Sequence, residues 1–536
     1  MDSNTNCDYL YDLVWSLTKS EKVYFKKFTT IHIIGGQNKY AALFDAVSGK
    51  SGSKNHQEIV NKFCKEHSIK NFPVLKNYLY LNILKSLKSY YSDSVFEDNL
   101  RNEISYIEIL YKKGLFKNCV RIINRALKKA YDTENFHIIL EILRWKKNLI
   151  NEGVYEGNEF ENLNNTHIEE TEILNKIKNL SDYRYLSYLA RSLIKGTNLK
   201  IKKEDAKTEL INILNNPLLL LEGNALSSAA RVNRLHILAA VNESLDRNAE
   251  SFEYRKKLLE LMEVNTENSG GNVTNYIVSA YNMFSTCLNL RKFAELDFYI
   301  GKLGIIEKKY YKKISENDRM LIIMGSSIYK IRMYFIKGEF SKLIKCVNEI
   351  EQSLEMFADK IIKPDMFYFY FIISYSYFCT GKFKEAVSWS NKILNDNSAD
   401  EKLYIKTKIL NMIIHFELGN YDLLDYLLKS AYRMLRKSRY NGFEEIIIMN
   451  FIKKLPGVAT QTEIKDLFAE TLEKLKSIQK FNFRDMHGKY QTEKFEIQNS
   501  FTDSAEIDIE SWLESKVSGK SFEEVVKQKH MQDTTL

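Results

Sequence analysis

With 536 residues, 44% of them hydrophobic, the chain has apolar material for several domains or for one long array that grows by repetition. Only four prolines occur, and no series of short alternating apolar runs is punctuated by Asn-Gly or Asp-Gly turns; this argues against a sandwich or barrel and for an almost wholly helical, all-α chain. The formal charge of +9, from 78 Lys+Arg against 69 Asp+Glu, is thinly spread and interleaved with acids, which describes a solvated helical surface rather than a nucleic-acid footprint.

Residues 1–92 read as a separate N-terminal helical domain, with shorter elements and the one Gly/Ser-rich stretch, "SGKSGSKN" at 48–55. "CDYLYDLVWSL" forms an amphipathic helix, and Thr18 with Glu21 makes a capping box that starts "EKVYFKKF", so the two close a helical hairpin. Pro73 sits in the first turn of a long helix striped by Leu75, Leu79, Ile83 and Leu87. The opening "SLTKSEKVYFKKF" resembles the beginnings of large bacterial helical-repeat proteins over a dozen residues, a resemblance that carries no function with it.

From about residue 93 to 455 the rhythm changes to helices of some fifteen residues separated by short polar turns. Gly-aromatic or similar turns recur at "KKGLFKNCV", "NLRKFAELDF", "IKGEFSKLIKCV", "CTGKFKEAVSW" and "ELGNYDLLDYLL". Their aromatics Phe293, Phe340, Phe383 and Tyr421 lie 47, 43 and 38 residues apart, a period that belongs to stacked helical hairpins. The turn lets one helix fold back on the next while the aromatic packs between them. Neither helix buries its apolar face alone.

One unit can be matched residue by residue. Residues 366–399 carry Tyr370, Ile373, Ser374, Tyr377, Gly381, Phe383 and Ala386 in the order in which the tetratricopeptide repeat (TPR) family places its aromatic, leucine, small, aromatic, glycine, aromatic and alanine positions. This stretch resembles that family. The other units depart from it: Cys119, Leu296, Leu343 and Leu424 stand at the alanine position. The expectation is an α-solenoid of TPR-like hairpins, lengthened and degenerate.

Residues 456–536 read as a C-terminal segment. Pro456 and Gly457 break the array, "EIKDLFAETLEKLKSI" forms a capping helix, an irregular connection follows, and a last helix over "DIESWLESKVSGKSFEEVVKQK" carries Trp512 and Leu513 as docking side chains before a frayed end.

Chemistry-bearing motifs are scarce. "GKS" occurs at 49–51 and 519–521, but Phe44 and Glu514 stand where a phosphate loop has its first glycine, so both read as loop and helix-breaking residues. The nine histidines are scattered without an H-E-x-x-H pair, and His415 on an apolar helix reads as an interior histidine. Neither metal nor cofactor is implied, and no local motif supports an enzyme. Cys7, Cys64, Cys119, Cys287, Cys346 and Cys379 never form C-x-x-C and read as small hydrophobes in a reducing compartment. The start, "MDSNTNCDYL", has no leader-like pattern and the apolar run at 366–378 is too short to cross a bilayer, so a cytoplasmic location is expected.

Two features point to a partner. The TPR resemblance implies that Tyr368, Phe371, Tyr375 and Phe378 fall on the face that lines the concave groove, where that family binds peptides; the alternative is that neighbouring hairpins bury them as core. Arg433, Arg436, Lys437 and Arg439 form the most locally basic cluster and suit acidic groups. The functional expectation is a non-catalytic protein- or peptide-binding scaffold or adaptor, with the helix around Trp512 a candidate internal ligand. The alternative is a nucleic-acid-linked regulator contacting phosphates through Lys19, Lys22, Lys26 and Lys27.

Overall fold

The computed structural model describes residues 9–17, 19–31, 39–48, 63–67, 69, 71–91, 96–195, 203–269, 273–310, 314–358, 361–396, 399–435, 443–455, 460–485 and 507–535. Helices α1–α8 are Tyr9–Ser16, Lys19–Ile31, Lys39–Ser48, Phe72–Tyr91, Phe96–Lys112, Phe116–Asp132, Phe136–Asn151 and Glu159–Lys195. Helices α9–α16 are Lys203–Leu214, Pro217–Leu220, Ser228–Ser244, Asn248–Ser269, Val273–Asn289, Phe293–Lys309, Glu316–Ile336 and Phe340–Met356. Helices α17–α24 are Lys363–Cys379, Phe383–Leu394, Glu401–Glu417, Tyr421–Leu435, Phe443–Lys454, Gln461–Asp485, Ile509–Ser518 and Phe522–Thr535. The class is all-α, an α-solenoid of consecutive hairpins in which each helix packs chiefly on its sequence neighbours.

Two compact units divide the chain, Met1–Asn175 and Lys176–Leu536. In the first, α1 to α4 enclose a cluster of their own around Leu10, Phe25, Phe44, Leu79 and Ile83. Farther along this unit, α5, α6 and α7 bury Ile107, Cys119, Ile123, Ile139 and Leu143. The division falls inside α8, whose 37 residues depart from the expectation of helices of some fifteen residues. Nothing between Glu159 and Lys195 breaks it: the span has neither Gly nor Pro, and Asn158 caps its start by accepting from the Phe160 backbone N–H at 2.9 Å.

The turns share one backbone device. Gly114, Glu134, Asp246, Arg291, Gly338, Gly381 and Gly419 all have positive φ, between 50° and 73°. At Gly381 the N–H bonds to the Phe378 carbonyl at 3.0 Å and the next N–H, of Lys382, to the Tyr377 carbonyl at 2.9 Å. This is the Schellman pattern, which satisfies the last carbonyls of the first helix. In six of the seven turns an aromatic residue follows two positions later and opens the next helix: Phe116, Phe136, Phe293, Phe340, Phe383 and Tyr421. Three residues on, Cys119, Leu296, Leu343, Ala386 and Leu424 are buried where paired helices meet.

The C-terminal end differs from its sequence reading. The capping helix α22 runs on to Asp485. The last helix is two: Gly519, at φ 73°, ends α23, and Ser521 with Glu524 forms a capping box that starts α24. The second "GKS" is therefore a helix-to-helix turn; the first, at 49–51, and Thr18 lie outside the described residues. Instead of fraying, α24 extends to Thr535, with His530 packed 5.6 Å from Phe293.

Candidate partner-binding site

Helix α17 is apolar on every side, and a helix of that kind must be covered all round. Pro364 lies in its first turn, where a fixed φ costs nothing. Its neighbours α16, α18 and α19 cover much of it. On the α18 side Ser374 donates to the Ala386 carbonyl at 2.8 Å, and Tyr370 meets Trp389 at 5.4 Å, with Lys392 above the indole.

The C-terminal hairpin of α23 and α24 supplies further cover. The backbone N–H of Asp508 donates to the Tyr375 hydroxyl at 2.8 Å. Phe522 stands 6.1 Å from Phe335, 5.9 Å from Phe340 and 6.1 Å from Phe378. Trp512 meets Phe416, Phe451 and Phe468 edge-on at 5.4–6.0 Å. Its indole N–H donates to Glu417 Oε1 at 2.5 Å, while Lys516 Nζ lies 2.6 Å from Glu417 Oε2. Glu417 ends α19, where the helix dipole disfavours a carboxylate, so this cation offsets an unfavourable placement. Lys476 and Lys529 bracket Glu514 at 2.7 and 3.1 Å.

These contacts follow an order. From Trp512 to His530 the hairpin passes successively earlier helix ends: Glu417, Phe378, Gly338 and Phe293. The C-terminal segment thus crosses four consecutive turns in the reverse sense of the chain.

Tyr368, Phe371 and Phe378 are 1%, 1% and 5% exposed, and Tyr375 is half-buried. Of the two readings, groove-lining or core, this burial matches the second for Tyr368 and Phe371, which adjacent hairpins enclose, while the C-terminal hairpin lies over Tyr375 and Phe378. Burial pushes the Tyr375 hydroxyl well above its ordinary range. A cavity of about 390 Å³ remains beside them, walled by Arg332, Phe335, Tyr368, Phe371, Tyr375 and Ile507 among others.

Arg433 is exposed at the end of α20, its Nε 3.3 Å from the Lys429 carbonyl. Arg436, Lys437 and Arg439 lie outside the described residues, so the basic cluster is placed only at its first member. Of the lysines in the alternative reading, Lys26 pairs with Asp45 at 2.7 Å, Lys27 is exposed and Lys22 half-buried; the Lys19 side chain is not among those described. His415, half-buried, shares a 3.0 Å contact with the Asn420 amide, and burial lowers its pKa. Sequence reasoning missed Glu417, whose signal was an acid at a helix C-terminus, and read Gly338 as a turn residue without its close approach to Lys527.

These features define an all-α helical-repeat protein whose C-terminal hairpin occupies an aromatic face. A scan against models of protein families finds none that matches the chain, and a search of curated proteins finds no matching relative. Among the described residues no helix is long and apolar enough to cross a membrane.

Proposed function

We propose that this chain is a non-catalytic protein- or peptide-binding scaffold or adaptor, a TPR-like solenoid working in the bacterial cytoplasm. The observation that carries the reading is the covering of the α17 aromatic face by a helical segment from far along the chain, through Tyr375 to Asp508 and Phe378 to Phe522. Large rigid aromatics give contact area at little entropic cost, and helix-in-groove binding uses such anchors. The TPR likeness is supported by Ser374, Gly381, Phe383 and Ala386, which make the turn and the close helix contact of that repeat. Arg433, exposed at the end of α20, and Arg436, Lys437 and Arg439 after it in sequence supply attraction for acidic groups.

The test is affinity capture from native cell extract, with and without nuclease, comparing wild type with the charge reversal of Arg433, Arg436, Lys437 and Arg439 to Glu. A defined protein retained after nuclease and lost on charge reversal is the expected result. Nucleic acid retained equally by both forms, with strong salt dependence, moves the function to the lysines of α2 and contradicts the reading.

A further inference from the structure

The C-terminal hairpin is firmly anchored yet imperfectly fitted. Its anchors are Trp512 among three phenylalanines, Phe522 among three more, and the Lys516–Glu417 pair. Against them stand two defects. The cavity of about 390 Å³ lies directly against Ile507 and Asp508, so the half-buried Phe335 and Tyr375 on its wall are left incompletely covered by the hairpin. The Ser511 hydroxyl is buried without a hydrogen-bond partner among the described residues, which leaves its desolvation uncompensated. The hairpin also crosses the ends of the stacked helices, joined to α22 through residues 486–506.

We infer that this hairpin is an exchangeable internal ligand, and that the external partner is an amphipathic helical segment of the same chemistry. Such a segment has an Asp at its N-cap, a Trp-Leu pair four and five residues on, a Lys eight residues on, and an aromatic side chain in place of Ile507. That aromatic enters the cavity against Phe335 and Tyr375, with the Arg332 guanidinium beside it as a cation–π partner. The Trp and Lys take over the two bonds to Glu417. A partner that fills the space left by Ile507 outcompetes the resident hairpin by that surplus. The proposal rests on the peptide-binding reading above and names the ligand's chemistry.

The test uses the full chain with a protease recognition sequence inserted within residues 486–506, cleaved while the C-terminal fragment stays bound. Fluorescein-labelled peptide 507–535, and the same peptide carrying Ile507→Phe, are then added. The expected result is unchanged helical circular dichroism, a slow rise in anisotropy as labelled peptide replaces the fragment, and competition by the Ile507→Phe form at roughly tenfold lower concentration. Failure of either peptide to enter a cleaved chain that stays folded overturns the proposal. So does loss of helical signal as the fragment departs, because the hairpin is then an integral part of the fold. A protein captured from extract by the uncut chain and not displaced by excess peptide 507–535 overturns the proposal while leaving the scaffold reading standing. Peptide exchange without any captured protein supports exchangeability and counts against the scaffold reading alone.

Discussion

Trp512 donates its indole N–H to the carboxylate of Glu417 at 2.5 Å across 95 residues of sequence, fixing the C-terminal hairpin to the end of α19. Both residues are nearly dry: Trp512 is 2% exposed and the Glu417 side chain 10%. A charge-assisted hydrogen bond in such a setting is worth about 1.5–3 kcal/mol. Trp512→Phe keeps much of the aromatic packing and removes the donor; Glu417→Gln keeps the shape and removes the charge that Lys516 also uses. Each single change is expected to weaken docking by roughly that amount, and the double change by less than the sum. Urea titration followed by hydrogen exchange of residues 507–535 measures the cycle, and strict additivity is the contrary result.

Two glycines separate backbone strain from close approach. Gly381 and Gly338 have nearly equal φ, 73° and 66°. A Cβ at Gly381 meets nothing within 4 Å, whereas at Gly338 it stands 2.4 Å from Lys527 Cγ and 3.2 Å from the Lys527 backbone nitrogen. Gly381→Ala is expected to cost about 1–2 kcal/mol, the ordinary price of a left-handed residue. Gly338→Ala costs more and loosens α24 as well. Thermal melts rank the two, and hydrogen exchange of 522–535 shows the second effect only for Gly338→Ala.

Acid weakens the second unit through His236. Burial, with the positive charges of Arg255 and Arg191 adding to it, pushes this imidazole down to about 4. Its surroundings include the Ser279 hydroxyl, 3.4 Å from Nε2, and the Arg255–Glu243 ion pair. An unfolded histidine titrates near 6.5, so between about pH 6.5 and 4 the unfolded chain binds a proton that the folded chain refuses. Stability contributed by this site is therefore complete above pH 6.5 and falls as pH drops toward 4. In His236→Gln the slope of urea midpoint against pH is expected to flatten in that window, and an unchanged slope contradicts the assignment.

The five described cysteines are free thiols: Cys119, Cys287, Cys346 and Cys379 are buried and Cys64 half-buried. Burial pushes Cys346 up to about 11, Cys287 to about 12, and Cys119 and Cys379 upward. Because the thiolate is the reactive form, a thiol reagent at pH 8 is expected to leave these four untouched in the native chain and to modify them after denaturation. Rapid native labelling of Cys287 or Cys379 contradicts the packing described.

The repeat rhythm was legible because its device is local. A left-handed residue and an aromatic two positions later mark six turns, and glycine announces four of them; Glu134 and Phe136 were missed because glutamate does not advertise that conformation. Helix α8 was missed for the opposite reason, since a run without breakers carries no punctuation. The aromatic row on α17 was visible, but its cover was not. Asp508 and Tyr375 are 133 residues apart, and no periodicity reports a contact of that range. Gly519 read as a helix-breaking residue, yet one helix was carried across it because the residues on either side keep helical spacing.

The C-terminal hairpin closing over the aromatic face is the central feature of the second unit, and hydrogen–deuterium exchange of the full chain carrying Trp512→Ala tests it most directly. The substitution empties the site among Phe416, Phe451 and Phe468, at a cost of about 3–5 kcal/mol. Faster exchange is predicted in 507–535 together with the C-terminal half of α17 and the turn at Gly338, while α13 and α14 change only near Phe293. Faster exchange confined to 507–518, with α17 and the Gly338 turn as protected as in wild type, would contradict it.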